Sequence, residues 1–111
     1  MPTQQEIMVV TGAPPESVAR ILDAISAAGG GIVGNYSHCA FTNPGSGHFK
    51  PGAEADPHVG AVGEVNAVPE IRIETFCTRA AARAVVAAIR EAHPYEEPVI
   101  YLIPLLSIDD L

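Results

Sequence analysis

The sequence predicts an α+β fold of the ferredoxin-like βαββαβ type, a four-stranded antiparallel sheet with two helices on one face. The main evidence is the order of apolar patterns along the chain, which runs strand, helix, strand and then strand, helix, strand. Between the two halves, residues 43–69 hold four prolines, five glycines and little periodicity. We therefore expect a long hairpin or loop there, in which GHFK and GAVGEV pair as a small hairpin.

The first half begins with the segment EIMVVT, residues 6–11, whose side chains predict a strand that is apolar on both faces. A helix follows, because Pro15 suits a first helical turn and apolar residues recur at helical spacing from Val18 to Ile25. The glycines at 29–31 are expected to end this helix, since glycine adopts the left-handed conformation that closes helices. A second strand is expected after them.

The second half begins with EIRIETF, residues 70–76, where apolar and polar side chains alternate as they do in a strand with one apolar side. Thr78 is predicted to cap a helix that runs to Ala92. Pro94 ends that helix, because its ring disfavours helical geometry at the residue before it. The last strand is PVIYLIP, residues 98–104, and it is again apolar on both sides.

These two-sided strands predict a partner for the sheet. Two helices can cover only one face of four strands, so something else must cover the other. A second copy of the chain is the simplest cover, and we predict a homo-oligomer. Arg72 and Glu74 lie on that second face, where a buried charge pair would meet neighbours across a subunit boundary.

Composition limits the choice of partners. The chain has 111 residues, which fits a single domain over residues 1–111 with a core from about residue 6 to residue 104. Six basic and thirteen acidic residues give a net charge of −7, and Lys50 is the only lysine. Nucleic acid and anionic membranes are therefore not expected to bind. No leader pattern and no apolar run of about 18 residues is seen, so we expect a cytoplasmic protein.

Two chemical alternatives come from the imidazole and thiol groups. His38, Cys39 and His93 carry donors that suit copper or zinc, although no C-x-x-C or H-x-x-x-H pair is present, so the ligands would have to come together across subunits. Cys39 beside His38, with Glu96 and Glu97 elsewhere, also contains the parts of a nucleophile and base. No nucleophile elbow accompanies them, and a structural role for HPYEEP is favoured on local grounds.

Five separated motifs resemble one known domain. They are GNYSHCAF, GSGHFKPG, ADPHVGAVGEV, EIRIE and AHPYEEP, and they look like the domain inserted in the middle of many bacterial Nif-three-like proteins of the YqfO type. The resemblance implies a stand-alone version of that insert, a CutA- and PII-like fold, and association as trimers. The core that surrounds the insert in that family carries a dinuclear metal centre and is often labelled GTP cyclohydrolase-like. That core is not recognised in this sequence, so hydrolase activity is not carried over.

The resemblance also implies a set of ligand-binding positions. They are Asn35, Tyr36, His38, Cys39, Phe49, Lys50, Arg72, Glu74, His93, Tyr95, Glu96 and Glu97. The leading hypothesis is a small homotrimeric binding or regulatory module with a site between subunits, lined by NYSHC and HPYEEP, that takes a small molecule and has no catalytic residues. One alternative is a copper- or zinc-handling protein that uses His38, Cys39 and His93. The other is a hydrolase-type enzyme that acts through Cys39.

Overall fold

A computed structural model describes residues 6–111 and confirms the predicted α+β fold. Its main elements are β1 Glu6–Ala13, α1 Val18–Ala27, β2 Phe41–Phe49, β3 Asn66–Thr78, α2 Ala82–Ala92 and β4 Ile100–Pro104. The four strands form an antiparallel sheet in the order β2-β3-β1-β4, which is the ferredoxin-like order. Within this part of the chain no helix has the length and apolar content needed to cross a membrane.

The core lies between the two helices and one face of the sheet. On β1 the residues that face the helices alternate along the strand, and they are paired with the helix-facing residues of β3, as in the pairs Ile7–Cys77 and Val9–Thr75. The buried apolar cluster consists of Ile7, Val9, Ala13, Ile21, Ile25, Ile73, Cys77, Val85 and Ile89. Burial of these side chains is what holds the helices on the sheet.

The other face of the sheet has no helix over it. Side chains that alternate with the core residues lie there, and several large apolar ones are exposed: Phe41 by 67%, Tyr101 by 58% and Ile103 by 43%. We call this surface the open face, and it includes Met8, Gly12, Phe41, Glu70, Arg72, Glu74, Tyr101 and Ile103. The prediction that the helices cover only one face is confirmed.

The predicted ends of the helices are also confirmed. Gly29 and Gly31 take positive φ angles of 97° and 65° just after α1. The hydroxyl of Thr78 accepts a hydrogen bond from the Ala81 amide at 3.3 Å, so it caps the turn that leads into α2. His93 is extended, with ψ of 135°, and α2 ends at Ala92 before Pro94.

In the middle of the chain the expected second strand and hairpin are confirmed, and one expected pairing is wrong. Residues 32–40 form no strand beyond a single bridge between Val33 and Tyr36, and the second strand begins only at Phe41. The long hairpin expected there is confirmed: β2 pairs with the first part of β3, and residues 50–65 form the loop between the two strands. GHFK therefore pairs with the start of β3 and not with GAVGEV. Pro44 is tolerated because β2 is an edge strand, where one side of the backbone needs no sheet partner.

Candidate functional site

A cavity of about 280 Å³ lies where the end of β2, the loop of residues 50–65 and the HPYEEP turn meet. We call it the corner cavity. Its lining consists of Gly12, Gly47, His48, Phe49, Lys50, Pro51, Ala55, Pro57, His58, Val59, Glu70, Tyr95, Glu96, Glu97 and Val99. Mostly apolar walls with a few converging polar groups are typical of small-molecule sites.

His93 fixes the HPYEEP turn to the sheet. Its side chain is only 6% exposed, and both ring nitrogens are used. Nδ1 accepts a hydrogen bond from the Tyr95 amide at 3.1 Å, so Nε2 carries the proton that is donated to the Gly12 carbonyl at 2.7 Å. Burial lowers the pKa of His93, since it disfavours the charged imidazolium. The imidazole is thus a neutral structural link between the turn and β1.

Tyr95 extends from this link to a carboxylate. Its ring lies 4.7 Å from the His93 ring, centroid to centroid, and 6.1 Å from that of His58. Its hydroxyl donates a hydrogen bond to Glu70 Oε2 at 3.1 Å. Burial, followed by the adjacent Glu70 charge, raises the pKa of Tyr95 to about 12. Tyr95 therefore stays protonated and remains a donor to Glu70 at neutral pH.

Glu70 occupies space that two glycines leave open. A Cβ atom at either Gly12 or Gly47 would collide with the Glu70 carboxylate. A second cavity of about 270 Å³, on the open face, is lined by Gly12, Glu70 and Val99 as well as by Arg72 and Tyr101. The carboxylate therefore lies at the wall that the two cavities share. Glu70 is the first residue of the EIRIE motif, but it was not among the predicted site residues.

The loop of residues 50–65 forms one wall of the corner cavity. The Asn66 side chain closes the loop with hydrogen bonds to the Ala61 amide at 3.0 Å, the Ala61 carbonyl at 3.1 Å and the Glu64 carbonyl at 2.9 Å. The Asp56 amide donates to Glu96 Oε1 at 3.1 Å, which ties the loop to the HPYEEP turn. Of the predicted binding residues, this site brings together Phe49, Lys50, Tyr95, Glu96 and Glu97.

The NYSHC segment lies elsewhere and lines neither cavity. His38 has a positive φ of 59° and is held on both sides, by Ser37 Oγ at 2.8 Å from Nδ1 and by Asp23 Oδ1 at 2.9 Å from Nε2. The Cys39 carbonyl accepts a hydrogen bond from the Thr75 hydroxyl at 2.8 Å, and its thiol donates to the Ser37 carbonyl at 3.8 Å. Asn35 and Tyr36 are exposed.

The positions of His38, Cys39 and His93 can be compared with the two chemical hypotheses, a copper or zinc site and a nucleophile at Cys39. Over residues 6–111 no three His, Cys, Asp or Glu side chains are grouped so as to hold a metal ion. A copper or zinc site at His38, Cys39 and His93 stays a prediction that needs ligands from more than one copy. The His38 imidazole faces Ser37 and Asp23, and Glu96 faces the Asp56 amide, so the chain brings neither group to the Cys39 thiol.

Arg72 and Glu74 lie on the open face as predicted, where Arg72 Nε and Glu74 Oε1 are 2.9 Å apart. They pair with each other along β3 because residues two apart in a strand point to the same side. Arg72 also lines the second cavity.

The ferredoxin-like fold of this chain resembles that of CutA proteins. The CutA protein of Archaeoglobus fulgidus, described as a periplasmic divalent cation tolerance protein, superposes with a TM-score of 0.67 at 17% identity and covers 92% of this chain and 85% of its own. At that identity the likeness concerns the fold alone. No family model matches the chain.

Sequence similarity identifies the relatives. A Bacillus cereus protein related to NIF3 superposes with a TM-score of 0.83 at 34% identity, over 96% of this chain and 27% of that one. Proteins named GTP cyclohydrolase 1 type 2 homolog are 40% identical over 105 residues in Halalkalibacterium halodurans and 41% identical over 92 residues in Bacillus subtilis. These matches cover 95% and 83% of this chain, and 28% and 25% of the two relatives. The chain is thus homologous to a segment of proteins of the NIF3/YqfO family, and it spans about a quarter of their length.

Proposed function

We propose that this chain is a homotrimeric ligand-binding or regulatory module of the PII/CutA-like type, with its ligand in the corner cavity. The observation that carries the proposal is the cavity itself, whose walls are held by hydrogen bonds in which His93 and Tyr95 donate and Glu96 and Asn66 accept. Because these walls are preformed, little free energy is lost in ordering them when a ligand binds. The proposal includes no catalytic step.

The open face supports the oligomeric part of the proposal. Exposed Phe41, Tyr101 and Ile103 give it an apolar character that is costly to leave in water. A second copy would bury these side chains, and a trimer is the assembly that the family resemblance implies. The second cavity opens on the same face, so a neighbouring copy would also form part of its wall.

The relatives' name, GTP cyclohydrolase 1 type 2 homolog, refers to proteins more than three times as long as this chain. Our proposal takes no reaction from that name. It concerns the segment that this chain shares with them, for which the cavity is the observed feature.

The assembly can be tested by placing a charge on the open face. Tyr101→Asp should convert the trimer into monomers, because an unpaired carboxylate would be buried at the interface. The matched control is Ala87→Asp, which adds the same charge to an exposed position of α2. Sedimentation equilibrium at micromolar concentration should give three times 11.6 kDa for the wild type and the control. A wild-type monomer would contradict the proposal.

A further inference from the structure

We infer that the corner cavity binds an organic cation, a guanidinium or amidinium group on a small flat apolar body, with Glu70 as its counter-ion. This inference rests on the proposed function, since it takes the corner cavity to be the ligand site. It assigns to that site a chemical class of ligand and the residue that recognises it.

Glu70 lacks a cationic partner among the described residues. The ion pairs of residues 6–111 join Arg72 to Glu74 and His38 to Asp23, and neither involves Glu70. Its Oε2 accepts a hydrogen bond from Tyr95, which leaves Oε1 and further lone pairs available. Glu70 is half-buried, and the hydrogen bond from Tyr95 replaces only part of the hydration that its carboxylate loses. A bound cation would offset that loss.

The surroundings of the Glu70 carboxylate also support a bound cation. Gly12 and Gly47 flank it, and any side chain at either position would displace it. The carboxylate packs against these two glycines, and the rest of Glu70 lines both cavities. A planar N–H pair can donate two parallel hydrogen bonds to a carboxylate, which an ammonium group cannot match in geometry.

The charge and the shape of the corner cavity also favour a flat organic cation. Glu70, Glu96 and Glu97 line the corner cavity against one lysine, Lys50, within a chain of net charge −7. This balance disfavours an anionic ligand. Phe49, Pro51, Pro57, Val59 and Val99 supply apolar surface, and about 280 Å³ suits a ligand of one or two rings.

The test uses four probes that share one benzene ring: benzamidine, benzylamine, benzamide and benzoate. Isothermal titration calorimetry of the wild-type protein near neutral pH should rank benzamidine first, benzylamine second and benzamide third, with no binding of benzoate. Glu70→Gln should weaken benzamidine binding by at least about tenfold, as expected when a charge-assisted pair loses one charge. The matched control, Glu91→Gln on the exposed surface of α2, should leave the affinity unchanged.

A second variant keeps the test valid if Glu70→Gln fails to fold. Gly47→Ala retains the Glu70 carboxylate but places a methyl group in the space that this carboxylate occupies. Because the carboxylate would be displaced, this variant should also weaken benzamidine binding. Binding of benzoate as tight as that of benzamidine, or a wild type that ignores benzamidine, would overturn the inference. Sedimentation of the same samples separates the two proposals: a trimer that ignores benzamidine refutes only the cation, whereas a monomer that binds it refutes only the trimer.

Discussion

At the scale of single residues, the buried imidazole of His93 makes the HPYEEP turn sensitive to acid. Its folded-state pKa lies below the ordinary value of about 6.5, because burial disfavours the charged form. The unfolded chain therefore takes up a proton first as pH falls. The stability that the neutral imidazole contributes is fully present above about pH 6.5 and is lost as pH falls through the folded pKa.

We expect the free energy of unfolding of the wild type to fall between pH 7 and pH 5 by more than that of His93→Gln. Glutamine can still donate to the Gly12 carbonyl but does not titrate. Urea denaturation at each pH measures the difference. Ala87→Gln, which adds the same amide side chain at an exposed position of α2, should keep the wild-type slope. Equal slopes in the wild type and His93→Gln would show that His93 is not the titrating group.

The hydroxyl of Tyr95 has a separate and testable effect on stability. Tyr95→Phe removes the donor to Glu70 and should cost about 1.5 kcal/mol, the lower end of the range for hydrogen bonds to charged groups, because Glu70 is partly solvated. Tyr36→Phe is the matched control, since Tyr36 is 74% exposed. Denaturant midpoints of the two variants near pH 7 give the comparison. A Tyr95→Phe variant that is as stable as the wild type would contradict this account of the turn.

Because of the Tyr95 hydroxyl, we also expect the folded protein to lose stability at alkaline pH. The pKa of Tyr95 is raised to about 12, so the unfolded chain, with a tyrosine pKa of about 10, loses this proton first as pH rises. The contribution is complete below about pH 10 and disappears as pH rises through about 12. Thermal unfolding between pH 9 and pH 11 should show a steeper fall for the wild type than for Tyr95→Phe.

At the scale of elements, Asn66 holds the loop of residues 50–65 in place at the start of β3. Asn66→Ala removes three hydrogen bonds and should free the loop locally, with roughly tenfold faster amide exchange at residues 59–65 and little change in the core. Hydrogen–deuterium exchange measured by mass spectrometry checks this. Asn43→Ala, at an exposed position of β2, should leave the loop unaffected. An unchanged loop would mean that other contacts hold it.

The elements that the sequence predicted correctly are those with strong local patterns. Both helices, β1, β3 and β4 show apolar periodicity, and Thr78, Pro94 and the glycines after α1 define where helices begin or end. The bounds of β2 could not be predicted, because Pro44, Gly45 and Gly47 have low strand propensity and only pairing with β3 stabilises the strand there.

The candidate site was only half predictable for a related reason. Motifs indicated Tyr95, Glu96, Lys50 and Phe49, but nothing local indicates that Glu70 meets a tyrosine 25 residues away. That contact arises from the crossing of β3 and the HPYEEP turn, as does the use of glycine at Gly12 and Gly47. Such tertiary constraints have no signature in local periodicity.

At the scale of the whole molecule, the open face and the second cavity on it are consequences of one arrangement, four strands with helices on one side only. The predicted copper or zinc site has a consequence at this scale. Because the chain does not group His38, Cys39 and His93, any metal they bind together should require the assembled trimer. Zinc titration of the wild type and of Tyr101→Asp would test this, and tight binding by a monomer would exclude a site shared between copies.

Native mass spectrometry of protein purified without added metal tests the central claim most directly. We predict a trimer of 11.6 kDa chains, which takes up about one benzamidine per chain when that probe is added, and loses this uptake in Glu70→Gln. A monomer, or a trimer whose corner cavity takes up neither this probe nor any small molecule retained from the cell, would contradict the claim that the chain is a trimeric ligand-binding module.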